Sequence, residues 1–388
     1  MRRAHWFALV VAVFVLASPP LGANAATPST SIVMHNLNNP RGLNFGANGA
    51  LYVAEAGRGG DQACFTGPDG GTELGGRTGS ISRLWRGGQQ RIVTGLASHA
   101  AAGGFGALGP HDVVPIGGGS LNVTIGLGTN PANRANCEVG KDFGWLIRAK
   151  DNGSWRKIAD LAGYEANNNP DGGVPDSDPY GLLAPSVRSR GNGDDGNKND
   201  NNDENGNDDG NGQAIIATDA GGNSLLAING KSIRALATFP SRSSGRFTDA
   251  VPTSVARGPD GTLYVGELTG APFVPGTANV YRIGKTPLTG FSFVVDITFG
   301  PDGSLYVLEF ASGSGLSGPG NLWRVNPATP TGTRTLVTSG LVAPTSVTIG
   351  RDGAFYISNC GVFPAGNRTD DPPPCQAGGG GHVLRVKV

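Results

Sequence analysis

Along most of the chain, apolar and polar positions alternate with a period of two, in short runs that stop at glycine-bearing turns. Residues 40–53 read PRGLNFGANGALYV, residues 252–265 PTSVARGPDGTLYV, residues 295–307 VDITFGPDGSLYV and residues 344–357 PTSVTIGRDGAFYI. Each predicts two alternating strands joined by a tight x-Asp-Gly or Asn-Gly turn, the residue pair that hairpin turns favour. Further strand pairs follow: GSISRLW with QRIVTGL, NLWRVNP with TRTLVTS, and GHVLRVKV at the end of the sequence. Four strands per unit, recurring every ~40 to 60 residues, predicts the blades of an all-β propeller.

Two weaker copies fill the interval between the first and the next clear repeat. Residues 110–128 read PHDVVPIGGGSLNVTIGLG and lead into GWLIRAK and GSWRKIADL; residues 179–228 open with PYGLLAP and close with QAIIATDAGGNSLLAI. The expected architecture is therefore a six-bladed β-propeller over residues 30–388, with blades near 40–96, 110–162, 178–239, 251–291, 293–338 and 343–388. The last blade has only three strands of its own. The orphan strand SIVMHNL at 31–37 is expected to complete it, which would remove an exposed sheet edge. A β-helix fits less well, because its shorter rungs carry no paired hairpins. Trp85, Trp145 and Trp323 fall on third strands, where packing between blades is expected.

Composition agrees with a turn-rich fold. Of 388 residues 65 are Gly and 27 are Pro, together about twice the usual ~12% share. Thirty basic residues balance thirty acidic ones, so no global field steers the chain to nucleic acid. The first residues combine Arg2 and Arg3, an apolar run from Trp6 to Ala17 and the small residues Ala23 to Ala25, which predicts a secretory leader at 1–25. That run is too short for a membrane span. With no lipid-accepting cysteine after it and no sorting tail, a soluble secreted monomer without a membrane anchor is expected.

The four cysteines allow three disulfide pairings, and a metal site built from all four thiolates lacks any CxxC pair. The repeat favours Cys64 with Cys137, in loops after the second strands of blades 1 and 2, and Cys360 with Cys375 within the corresponding loop of blade 6. Residues 191–212, GNGDDGNKNDNNDENGNDDGNG, interrupt the first hairpin of blade 3 and contain no apolar residue. A disordered insertion is expected, on the face opposite the ligand face. Its acidic spacing only faintly resembles a calcium loop.

Candidate chemistry gathers at one end of the expected channel. The second strands end at Glu55, Ile125, Asp219, Glu267, Glu309 and Asn359, so five of six equivalent positions offer oxygen ligands. The loops leading into the first strands bring Arg41, His111, Asp112, Tyr180, Thr253, Asp296 and Thr345 to the same end. Three readings of Glu55, Asp219, Glu267, Glu309 and Asn359 stand: a hard cation such as calcium held between them, caps that accept N–H groups of adjacent loops or pair with arginine, or a direct catalytic role. His111 beside Asp112 has the makings of a general base, with no nucleophile motif beside it. His35, His99 and His382 have no motif around them.

The combination GPHDVV, DLAGYEANNNPDGGVPDSDPYGLL, ATDAGGNSLL and repeated GPDGxLYV, behind a leader, resembles the ScyD/ScyE family of secreted six-bladed NHL-like propellers. The resemblance covers residues 30–388 apart from the 191–212 insertion. It implies an extracytoplasmic propeller and assigns no activity. The expected function is accordingly a binding or scaffold module that offers its loop face to a small molecule, glycan or protein. The alternative is a divalent-metal-dependent lactonase or esterase, since the ring of acids is similar in outline to that of gluconolactonase and strictosidine-synthase-like propellers. A quinone-dependent sugar dehydrogenase fits less, for want of a basic cluster to hold an anionic cofactor.

Overall fold

The computed structural model describes residues 28–67, 70–183, 214–243, 247–329, 333–366 and 368–388. The expected leader at 1–25 and the insertion at 191–212 lie outside the described residues. Six antiparallel blade sheets follow one another along the chain. Their first strands are Pro40–Phe45, Pro110–Gly117, Pro179–Leu183, Pro252–Arg257, Val294–Phe299 and Ser346–Ile349. Each first strand touches the first strands of the blades before and after it, and the sixth touches the first, so the six close into a ring. This is a six-bladed β-propeller.

The hairpin turns explain why the repeats fold alike. In blades 1, 4, 5 and 6 the side chains of Asn48, Asp260, Asp302 and Asp352 accept the N–H of the residue two positions on. This local bond favours the turn over a continued strand. The glycine between them, at 49, 261, 303 and 353, has φ of +73° to +80°, where a side chain would be strained.

Alternation then decides what is buried. Blade sheets stand side by side, and their apolar faces meet in six clusters, one at each seam. Val113 and Val123 of blade 2 pack on Ile81 and Val93 of blade 1, and Leu182 and Ile215 of blade 3 on Leu146 and Ile158 of blade 2. Further seams join blades 3 and 4 through Ile216, Leu225, Val255 and Val265, blades 4 and 5 through Val280 and Leu305, and blades 5 and 6 through Leu308 and Ile357. Met34, Leu37, Leu43 and Val53 seal blade 6 to blade 1. The core is thus a set of radial layers, and each layer needs both neighbours.

The ring closes through blade 6. Its outermost strand, Ser29–Leu37, comes from the start of the described chain and pairs antiparallel with Gly381–Lys387, with Ser29 opposite Lys387 and Leu37 opposite Gly381. Closure by the N-terminal strand, read from the sequence, is present. Blade 1 carries an additional strand, Gln62–Thr66, paired with its long third strand Thr72–Trp85. Cys64 is bonded to Cys137 and Cys360 to Cys375, the expected pairing, which fits an oxidising compartment. Among the described residues no helix is long and apolar enough to cross a membrane.

One expectation is corrected. Trp323 packs at the seam of blades 4 and 5 and Trp145 against the seam of blades 1 and 2, but Trp85 is 38% exposed, with the guanidinium groups of Arg83 and Arg86 over its ring. The reason is position: Trp85 ends its strand at the turn, beyond the reach of the neighbouring blade.

Candidate ligand-binding channel

The first strands enclose a cavity of 330 Å³, lined by His111, Asp112, Tyr180, Thr253, Asp296 and Thr345 among others. Arg41 is not part of the lining. In blades 1 to 5 the ladder between first and second strands shifts register just after the lead residue. Such bulges re-aim side chains, and here the residues just after the lead reach neighbouring blades.

Alternate blades use the residue after the lead in the same way. Thr253 Oγ1 of blade 4 donates to the Val294 carbonyl of blade 5 at 2.8 Å, and Thr345 Oγ1 of blade 6 donates to the Pro40 carbonyl of blade 1 at 2.6 Å. In blade 2 this place belongs to His111, whose Nδ1 lies 3.2 Å from the Pro179 carbonyl of blade 3. A carbonyl accepts only, so Nδ1 carries the proton. Arg41 of blade 1 instead donates to the carbonyls of Ala107 and Gly361 at 2.7 and 2.6 Å, tying the loops on either side.

The next position along binds the blades from the acceptor side. Asp112 accepts the N–H of Leu182 in blade 3 at 2.8 Å, as well as that of its own neighbour Val113. Asp296 accepts the N–H of Val347 and the hydroxyl of Ser346, both in blade 6, at 2.8 and 2.6 Å. Ser346 Oγ in turn accepts from Leu43 N–H of blade 1 at 3.3 Å. Where no side chain does this, glycine lets the backbones approach. A Cβ on Gly42 would lie 2.1 Å from Asp112 Oδ1, and one on Gly181 2.7 Å from the Thr253 carbonyl.

These groups are electrostatically unusual. Burial, followed by the charge of Asp296, raises Asp112 to about 7, and burial raises Asp296 to about 6. Burial and then the nearby Arg41 guanidinium hold His111 well below the ordinary imidazole value, so it is neutral. Its contact with Asp178, 3.4 Å away, is therefore not an ion pair. With the proton on Nδ1, Nε2 presents a lone pair, and it is buried without a partner. The Tyr180 ring lies against the imidazole, centroids 4.5 Å apart.

The acids that end the second strands are placed differently from the expected central ring. None lines the channel. Glu55 accepts from Asn38 N–H, Ser82 Oγ and Arg91 at 2.7, 2.6 and 2.7 Å. Asp219 accepts from Asp178 N–H and Ser177 Oγ, Glu267 from Asn279 N–H, Glu309 from Ser292 N–H and Trp323 Nε1, and Asn359 from Val342 N–H. Each serves its own blade or the loop leading into it. Side chains stand perpendicular to a sheet, and in blades that radiate from the axis a second-strand side chain faces the adjoining blade. Among the described residues no three His, Cys, Asp or Glu side chains are grouped to hold a metal ion.

Three features escaped sequence reasoning. Ser254 Oγ at the channel is buried without a partner; a lone serine in a strand carries no sequence signal. His99, which had no motif, is buried, with Nδ1 against Glu73 and Nε2 against the Leu127 carbonyl. At the rim of blade 3 lie Glu165, Asp171, Asp176 and Asp219, and the charges of Asp219 and Asp171 act on Glu165 and Asp176. Burial and then Asp219 push Glu165 to about 8 and Asp176 to about 6, and raise Asp178 well above the ordinary carboxylate range. Their crowding within DLAGYEANNNPDGGVPDSDP was the available signal.

No family model matches the chain, and no curated protein matches it. Solved structures that are similar include virginiamycin B lyase from Staphylococcus aureus, at 14% identity over 86% of this chain and 83% of that one, with a TM-score of 0.44. A luciferin-regenerating enzyme shares 12% identity over 93% and 96%, TM-score 0.49. A chain of a nidogen/laminin complex shares 16% over 74% and 84%, TM-score 0.42. Likeness at this level carries no information on activity.

Proposed function

We propose that the chain is a secreted, monomeric binding propeller of the ScyD/ScyE type, whose channel takes a small hydroxylated molecule such as the end of a glycan. One observation carries this reading. Among the described residues that line the channel, two side-chain atoms are buried without a partner, the lone pair of His111 Nε2 and the hydroxyl of Ser254. An acceptor and a hydroxyl suit a ligand hydroxyl, while the lining carboxylates are engaged in holding neighbouring strands. Secretion is supported by the leader-like first 25 residues and by the two disulfides, and the family reading by the residue motifs around His111 and Tyr180. A lactonase or esterase with a central divalent ion has less support, because Glu55, Asp219, Glu267, Glu309 and Asn359 bond within their own blades.

Saturation-transfer NMR of the mature protein against a panel of sugars and polyols tests the proposal. A hydroxylated binder is expected whose affinity falls about tenfold in Ser254→Ala and in His111→Phe, the loss of one hydrogen bond. Hydrolysis of a lactone or ester by the wild type, abolished in both Glu267→Gln and Glu309→Gln, overturns it in favour of the metal enzyme.

A further inference from the structure

The rim of blade 3 holds acidic groups that neither the fold nor the channel accounts for. The helix Leu161–Asn168 leads into the loop 169–178, and that loop lies against the turn 220–223 between the second and third strands. Two glycines of this turn locate the carboxylates. A Cβ on Gly222 would lie 2.6 Å from Glu165 Oε2 and 3.3 Å from Asp219 Cγ, and one on Gly221 2.9 Å from Asp176 Oδ1. Three carboxylates thus surround two adjacent residues without a side chain. A fourth, Asp171, joins from the loop, its Oδ2 accepting from Asn223 Nδ2 at 2.9 Å.

Several oxygens of this group lack donors. Glu55 has an arginine, and Asp142 has Arg77 and Lys157. Asp219 is bonded to Ser177 and to main-chain N–H groups. Glu165, by contrast, is 1% exposed, and its Oε1 is buried with no partner. Asp176 Oδ1 and the amide oxygen of Asn169 in the same loop are buried and unpartnered as well. Three orphaned oxygens, all acceptors, each forfeit the bonds they would make in water. A cation held among them would supply what each lacks, whereas a donor residue would have to be added for each.

We propose that this rim is a calcium site, with Glu165 and Asp176 as its carboxylate ligands, the Asn169 amide oxygen as a third, and backbone oxygens or water completing the shell. The donor set is oxygen only and mixes charged with neutral groups, which suits a large hard cation that tolerates irregular coordination and not zinc or the stricter octahedron of magnesium. Two carboxylates and an amide place the affinity with extracellular modules, at roughly 10⁻⁴ to 10⁻³ M. The ion also has a consequence for the channel. Asp178, at the end of the loop, donates its N–H to Asp219 and accepts from Leu127 N–H, and it lies beside His111. Ordering loop 169–178 would fix the wall formed by His111 and Tyr180.

The mature full-length protein, stripped with a chelator, is titrated with CaCl2 and separately with MgCl2, reading thermal unfolding and calcium bound by equilibrium dialysis. Millimolar calcium is expected to raise the unfolding midpoint by roughly 2–5 °C, and magnesium at the same concentration by less. Glu165→Gln combined with Asp176→Asn loses that rise and binds about one calcium ion fewer per chain. The acidic insertion is common to both chains and cancels in the difference. Removing repulsion leaves the double variant able to fold without metal; should it not fold, Asp176→Asn alone carries the same comparison. Equal calcium counts and equal midpoint rises in variant and wild type overturn the site. So does a wild type that calcium leaves unchanged, which means that protons quiet the carboxylates.

Discussion

Two sets of buried acids occupy first and second strands of this propeller and do opposite things. Asp112 and Asp296, on first strands, each reach out of their own blade to accept an N–H of the next one. Glu55 and Glu309, at the ends of second strands, fold back onto their own blades. Carboxylate chemistry is the same in both. The difference comes from strand rank: the innermost strand lies at an edge where consecutive blades converge, so a short side chain spans the gap, whereas one strand farther out a longer Glu finds donors at home. Aspartates near the axis therefore join blades, and the outer glutamates finish them.

Breaking this contrast is simplest at Asp296. Asp296→Ala leaves the N–H groups of Val347 and Ile297 and the Ser346 hydroxyl without their acceptor. A loss of about 3 kcal/mol or more in urea unfolding is expected. The pH dependence comes next. Asp112 and Asp296 keep their protons to about 7 and about 6 in the folded chain, while unfolded aspartate releases its proton near pH 3.9. Their contribution is full below that lower value and is lost as pH rises through the folded values. Stability should thus fall from about pH 4 to about pH 7, and less steeply in Asp112→Asn combined with Asp296→Asn. Glu55→Ala should cost about 1–2 kcal/mol, because Arg91 and the Asn38 loop can turn to water. A loss equal to that of Asp296→Ala would dissolve the distinction between the two sets. Smallest of all, Trp85→Ala at its exposed turn should stay within about 0.5 kcal/mol in the same measurement.

Much of the scaffold was legible because its determinants are local. The x-Asp-Gly turns carry their own hydrogen bond, the period-two alternation states which face is buried, and an orphan strand opposite a three-stranded blade implies closure. The same local reading found both disulfides, since the repeat put their cysteines in corresponding loops. Of the seven residues expected at the channel end, six line the cavity, while the long side chain of Arg41 reaches carbonyls outside that lining. Local reading could not tell that His111, Thr253 and Thr345 play one role in alternate blades, because that role is defined by a carbonyl on the following blade. Trp85 shares only strand rank with Trp323: Trp323 pairs with Val307, whereas the corresponding Val53 pairs with Ser82, three residues before Trp85.

What the sequence determined alone was therefore the strand order, the hairpins, the number of blades and their circular closure, all of which follow from interactions between residues close along the chain or from the pairing of one edge. Which polar groups face the axis, which join blades and which remain without partners was decided only by the tertiary structure. Those outcomes depend on bulges that re-aim the first strands and on the distance between sheets. No property of a residue's own neighbours along the chain sets either one.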